Sequence, residues 1–141
     1  MSWICPACKR EFKNTNQAHS CVTRDVSEHL AHTSPDAQKA FDKLMRGVRR
    51  FGPVSVSSVK HVILLKAGTT FLAIKPKKDR IDIEFLLEKE IVDFRIIKTV
   101  RASKRRIAHF SVLEHPRDVN AQLLRWLKQS YILIRDEANK Q

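Results

Sequence analysis

Between residues 54 and 113 the chain is cut into short apolar runs separated by turn-forming residues. Runs this short favour strands over helices. Val54 to Val56 alternates, and His61 to Lys66 is a compact apolar run. Ala67-Gly68 reads as a hairpin turn, with Thr69 to Lys75 as the returning strand. Pro76 to Asp79 is a turn. Ile81, Ile83 and Phe85 then alternate with Asp82 and Glu84, the pattern of a strand with one wet face. Residues 88–93 read as a loop, and Phe94 to Val100 and Ile107 to Leu113 as two more strands joined by Arg101 to Arg106. About five strands in sequence with short turns imply an antiparallel sheet, and its simplest arrangement from Thr69 onward is an up-and-down meander.

A helical pattern flanks this region on each side. Ser34 can cap a helix, Pro35 suits its first position, and Asp36 suits the positive end of its dipole. Ala37, Ala40, Phe41, Leu44, Met45, Val48 and Phe51 recur at spacings of three and four, a face for core packing. Gly52-Pro53 stops the pattern. A second helix is expected from Pro116-Arg-Asp118, capped by His115 or Asp118, with Val119, Leu123, Leu124, Trp126, Leu127 and Tyr131 as its apolar face. Helix, sheet and helix in this order predict an α+β domain over residues 35–134, with the helices on one face of the sheet and a frayed tail at 135–141.

The N-terminus follows other rules. All three cysteines fall in the first 21 residues, as Cys5-x2-Cys8 and then His19-x-Cys21. A Cys-x2-Cys turn brings two thiolates within reach of one ion, and a second pair closes a tetrahedron. Zinc suits sulfur and imidazole ligands. Cys5, Cys8, His19 and Cys21 are therefore the candidate zinc ligands, with His29 or His32 as alternatives to His19. Four protein ligands leave no open position, so the zinc would be structural. Residues 1–22 are too few to fold without the metal, and residues 23–34 read as a linker or short helix.

These residues resemble the bacterial family known as domain of unknown function 5655. That family pairs a short finger with a small α+β domain. The finger resemblance lies in Trp3, Cys5, Pro6, Cys8, Phe12, Gln17, His19, Ser20 and Cys21. The domain resemblance lies in Gly52-Pro53-Val54, Val59-Lys60, Phe71, Ala73, Pro76, Trp126-Leu127 and Tyr131. It implies that Cys5, Cys8, His19 and Cys21 act as one unit, and it favours His19 over His29 and His32. It carries no assigned activity.

The charge points to a partner. Lys and Arg exceed Asp and Glu by 27 to 15, a net +12. Such an excess suits an acidic partner, most simply nucleic acid. It is concentrated: residues 60–80 hold six Lys and Arg against one Asp, residues 94–115 hold six against one Glu, and residues 81–93 hold five acids against one Lys. In a meander the turns at 75–80 and 101–106 would share one end of the sheet. Lys75, Lys77, Lys78, Arg80, Arg101, Lys104, Arg105 and Arg106 would therefore form a basic rim that holds phosphates without reading bases. Lys60, a residue of the family resemblance at the head of a strand, is a further expected nucleic-acid contact, with a solvated edge charge as the alternative. The alternative is a protein-interaction or regulatory module for an acidic protein, with the finger as a staple.

Catalysis lacks a constellation. No carboxylate pair sits in an apolar stretch, no serine has a nucleophile-elbow setting, and only three glycines are present, with no phosphate loop. The N-terminus has no apolar core of a secretory signal, no run approaches a membrane span, and thiols at metal spacing suit the reducing cytoplasm.

Overall fold

The computed structural model describes residues 3–4, 11–12, 29–59 and 62–139. At the N-terminus, β1 (Trp3–Ile4) and β2 (Glu11–Phe12) pair antiparallel, Trp3 opposite Phe12 and Ile4 opposite Glu11. Helix α1 (Pro35–Arg49) starts where its sequence directs: Ser34 Oγ accepts the Ala37 N–H at 3.3 Å, with Pro35 beside the cap and Asp36 in the first turn. Ala37, Ala40, Phe41, Leu44, Met45 and Val48 are its buried stripe.

Six strands follow: β3 (Ser55–Val59), β4 (Val62–Ala67), β5 (Thr69–Pro76), β6 (Ile81–Leu87), β7 (Lys98–Ser103) and β8 (Arg106–Leu113). All pairings are antiparallel, and the spatial order is β3-β4-β5-β6-β8-β7. The α+β class stands, with one helix before the sheet and one after it. Ile63, Leu65, Ile74, Ile83, Phe85 and Leu113 point to one face and build the core with the two helices. That burial is the main stabilising contribution, since each such side chain contributes about 1.5–3 kcal/mol on leaving water.

The meander fails at β7. Strand β8, not β7, lies against β6, with Ile81 opposite Leu113 and Leu87 opposite Ile107. The polarity of the two strands explains the order. Strand β8 buries Ile107, Ala108, His109, Ser111 and Leu113, so it needs neighbours on both sides. Strand β7 is Lys-Thr-Val-Arg-Ala-Ser and mostly exposed, a sequence suited to a guarded edge. Residues 88–97 must then run back along the sheet from the end of β6 to the start of β7. Ten residues reach about 33 Å when extended, ample for a seven-residue strand. Residues 94–97 are part of this strap and not of the strand. Asp93 Oδ1 accepts the Arg95 N–H at 2.9 Å, and the Asp93 carbonyl accepts the Ile96 N–H at 3.0 Å, so the chain turns where alternation suggested extension.

The second helix also begins later than its Pro signal. Pro116–Asp118 makes a single 3-10 turn, with the Asp118 carboxylate accepting the N–H groups of Glu114 and His115. Helix α2 (Ala121–Asn139) is capped instead by Asn120, whose Oδ1 accepts the Leu123 N–H at 2.9 Å. It runs past residue 135, where fraying was expected, and Glu137 pairs there with Arg106.

Several residues that carry the family resemblance meet at Tyr131, on α2. Its ring meets Phe71 edge-on with centroids 5.4 Å apart, and its hydroxyl donates to the Pro53 carbonyl at 3.0 Å. Gly52 has φ +148°, and a Cβ there would lie 2.5 Å from the same hydroxyl oxygen. Ser130 beside it donates to the Phe71 carbonyl at 3.0 Å. Gly52→Ala should therefore lower stability by about 2 kcal/mol or more, combining backbone strain with displacement of Tyr131. Tyr131→Phe, which removes only the hydroxyl, should cost about 1 kcal/mol. Urea denaturation monitored by Trp126 fluorescence checks both, and a Gly52→Ala protein as stable as the parent would contradict this account.

Candidate nucleic-acid interface

Cys5, Cys8, His19, Cys21 and Lys60 lie outside the described residues, as does His61. Among the described residues no group of three or more His, Cys, Asp and Glu is placed to hold a metal ion. The remaining expected contacts can be placed, and the structure separates them into two groups.

Lys75, Lys77, Lys78 and Arg80 surround the β5–β6 turn at one end of the sheet. The turn is closed by the Lys77 N–H, which donates to the Arg80 carbonyl at 2.8 Å. The carbonyls of Lys77 and Lys78 accept from Thr33 Oγ1 at 2.9 Å and Ser34 N–H at 2.8 Å. All four basic side chains are exposed, and Arg80 pairs with Asp82 at 2.9 Å.

Arg101, Lys104, Arg105 and Arg106 lie at the opposite end. Strand β7 runs antiparallel to β8, with Arg101 opposite Ile107, and Ile107 is opposite Leu87 at the far end of β6. The single basic rim is thereby overturned, because its two turns sit at opposite ends of the sheet. The second turn meets the acidic segment it was expected to oppose. Arg105 is 3.6 Å from Glu88, Arg106 is bonded to Glu137, and Arg101 donates to the carbonyls of Ser103 and Lys104. The cleft at this end, about 660 Å³, is lined by Glu88, Glu90, Asp136 and Glu137, which outnumber Lys89 and Arg105. Such a lining repels phosphates.

A second concentration of positive charge lies on the helices. Lys39, Lys43, Arg46 and Arg49 on α1, Arg50 at its C-cap, and Arg125 and Lys128 on α2 are exposed or half-exposed, and none of them forms a salt bridge among the described residues. Gly47 lets the helices close up: a Cβ there would lie 2.6 Å from Leu124 Cδ2. Lys43 and Arg50 stand one turn either side of Gly47, and Lys128 one turn beyond Leu124. The signal was present in the sequence. Lys39, Lys43, Arg46 and Arg50 are spaced by four, three and four residues, the same helical period as the apolar stripe on the other side.

The strap that separates the two basic turns is pinned by His109, the one fully buried histidine among the described residues. His109 Nε2 accepts the Ile91 N–H at 3.0 Å, so its proton sits on Nδ1, which donates to the Ile107 carbonyl at 2.9 Å. The ring stacks on Phe85, and Phe85 stacks in turn on Trp126. The Arg95 guanidinium lies 5.2 Å from the Trp126 ring centre, and Ser111 Oγ donates to the Arg95 carbonyl at 2.8 Å. Burial pushes the His109 pKa below its ordinary 6.5, outweighing the Ile107 carbonyl and nearby Glu90, which act the other way. Asp93 is held below the usual carboxylate range by hydrogen bonds first from the Arg95 side chain and then from its N–H.

His109 is thus neutral in the folded protein, and the unfolded chain takes up its proton more readily. Its stabilisation is fully present above about pH 6.5 and declines as pH falls from there toward the lowered folded value. The Asp93 contribution, also from a depressed pKa, is lost only in the acid range below it. His109→Phe should keep the stack, orphan the Ile91 N–H at a cost of about 1–3 kcal/mol, and abolish the decline below pH 6.5. Denaturation midpoints of parent and variant across about pH 5 to 8 check this; equal slopes would contradict it.

No described helix is long and apolar enough to cross a membrane. No curated protein and no solved structure matches the chain. The family described as Domain of unknown function (DUF5655) matches residues 26–134, which takes in α1, the whole six-stranded sheet and most of α2, and leaves the cysteine-bearing segment outside. Since that span covers well over half of the 141 residues, the chain belongs to the DUF5655 family.

Proposed function

We propose that this is a nucleic-acid-binding protein of low sequence specificity, holding phosphates with basic side chains and carrying a structural zinc at its N-terminus, in the cytoplasm. The observation that supports it is the division of charge. Acidic side chains near the strap and the C-terminal end of α2 are taken up by arginines, as in Asp93–Arg95, Glu88–Arg105 and Glu137–Arg106. Lys39, Lys43, Arg46, Arg49, Arg50, Arg125 and Lys128 of the helical layer form no salt bridge among the described residues. An unpaired basic surface of this kind suits a polyanion, and its contacts would position a backbone without reading bases. Lys75, Lys77, Lys78 and Arg80 extend this surface at the β5–β6 turn, whereas Arg101, Arg105 and Arg106, beside Glu88, Glu90 and Glu137, are poorly placed for phosphates, and Lys104 lies in the same turn.

A specific feature favours the second reading, docking of an acidic protein. Val92 and Phe94 are 94% and 92% exposed beside basic β7. Apolar side chains so placed suit a protein surface better than a phosphate chain.

Binding should fall steeply with salt, by roughly 100-fold between about 50 and 200 mM if four phosphates are contacted. Replacing Arg46, Arg49, Arg50 and Lys128 with Ala should weaken binding to every sequence alike and flatten the salt slope by about one unit per lost contact. Fluorescence anisotropy with labelled oligonucleotides reads both. Undiminished binding by the fourfold variant, or capture of one acidic protein in place of nucleic acid, would favour the second reading.

For the metal, native mass spectrometry should find about one zinc per chain. The pairing of residues 3–4 with 11–12 supports this reading, because it closes the chain on either side of Cys5-x2-Cys8. Cys8→Ser should lose the metal while residues 29–139 keep their denaturation midpoint, since the sheet and helices have their own core. Retention of zinc by that variant would reject the ligand set, and loss on His29→Ala but not His19→Ala would reassign the fourth ligand.

A further inference from the structure

The sheet has a second face, turned away from both helices, and its side chains form a regular grid. One cross-strand row reads Leu64, Ala73, Glu84, Phe110, Lys98, each directly opposite the next. The adjacent row includes Lys75, Asp82 and Val112. All of these side chains except Leu64 line an open groove of about 500 Å³, bounded by Lys75, Lys77, Arg80 and Lys98. An antiparallel sheet covered on one side ordinarily keeps its other face polar. Here the floor is Ala73, Phe110 and Val112, with Ile97 at the rim 63% exposed. Among the described residues nothing covers it.

We propose that this groove binds a nucleobase of single-stranded nucleic acid, stacked on Phe110. The proposal rests on the nucleic-acid reading above and names the strand form and the base class. Three features of the groove fit an unstacked nucleotide. Phe110 offers a half-exposed aromatic face, now covered by the Lys98 ammonium 4.6 Å from the ring centre. A base arriving on the ring would release that ammonium to a phosphate, replacing a cation–π contact by an ion pair. The lysines at the rim lie where the sugar-phosphate chain would pass. The two carboxylates are not equivalent. Asp82 is occupied by Arg80 at 2.9 Å, whereas Glu84, directly opposite Phe110, has no salt-bridge partner among the described residues. A free carboxylate beside a stacking ring accepts hydrogen bonds from an exocyclic amino group, as on cytosine or adenine, and finds no such donor on thymine. A base paired within a duplex has its amino edge engaged and its faces stacked, so it cannot enter the groove.

The test uses the full chain and labelled DNA oligonucleotides of one length: poly-dC, poly-dT and a mixed duplex, read by anisotropy. Parent protein should bind dC more tightly than dT, and both more tightly than duplex. Phe110→Leu, which keeps an apolar side chain in the strand, should weaken single-strand binding about fivefold or more and leave duplex binding unchanged. Glu84→Gln should narrow the gap between dC and dT. In a parallel titration of parent protein with cytidine monophosphate, the amide signals of Glu84, Lys98 and Phe110 should shift before those of α1. Equal binding of duplex and single strands, with Phe110→Leu harmless, would overturn the groove while leaving phosphate binding by the helical layer intact. Absence of salt-dependent binding to any oligonucleotide would overturn both.

Discussion

The hydrogen bond from the Ile91 N–H to His109 anchors the element on which the rest of the arrangement depends, the strap at residues 88–97. Because the strap runs back along the sheet, β7 and β8 enter in reversed spatial order. That reversal carries the turn at 101–106 to the acidic end, where Glu88 and Glu137 neutralise it. Among the described residues, the lysines and arginines without a salt bridge include those of the helical stripe and Lys75, Lys77 and Lys78 at the β5–β6 turn. A buried, neutral imidazole suits the anchoring role because it donates and accepts at once, satisfying Ile107 and Ile91 with no net charge in the core.

The strand and helix types were legible because each follows a local rule. The apolar period of α1, its Ser34 cap and the Ala67-Gly68 turn all appear where their residues direct. The order of the last two strands was not legible from turn spacing, since a short basic segment and a longer acidic one both look like hairpin connections. Two physical signals pointed to the observed order. Strand β7 is too polar to lie between two neighbours, and β8 is too apolar to be an edge. The start of α2 was misplaced because Pro116 and Asp118 satisfy one turn's requirements as well as a helix's. The helical basic stripe was in plain view, but charge summed along the chain conceals what a helical period concentrates on one side. His109 falls in a run that reads as a strand; its partner on the strap could not be named without the topology.

Gly52, Pro53, Phe71 and Tyr131, which carry part of the family resemblance, meet around the buried Tyr131 ring and its hydroxyl, while Trp126 packs on Phe85. Their chemistry is that of packing and strain, so in this part of the chain the resemblance marks a fold. Ala73 differs: it lies on the opposite face, in the floor of the groove, where a larger side chain would fill the space beside Glu84.

The strap also orders events in time. The pairs β3–β4, β4–β5, β5–β6 and β7–β8 are hairpins that can close locally. The β6–β8 ladder joins residues 20 apart at Leu87–Ile107 and 32 apart at Ile81–Leu113, and it forms only after the strap has traversed. Closing that separation costs chain entropy before any ladder bond returns it. The sheet is thus two locally assembled halves joined by one long-range seam, and that seam's sequence separation slows folding in a way that the stability of either half does not offset.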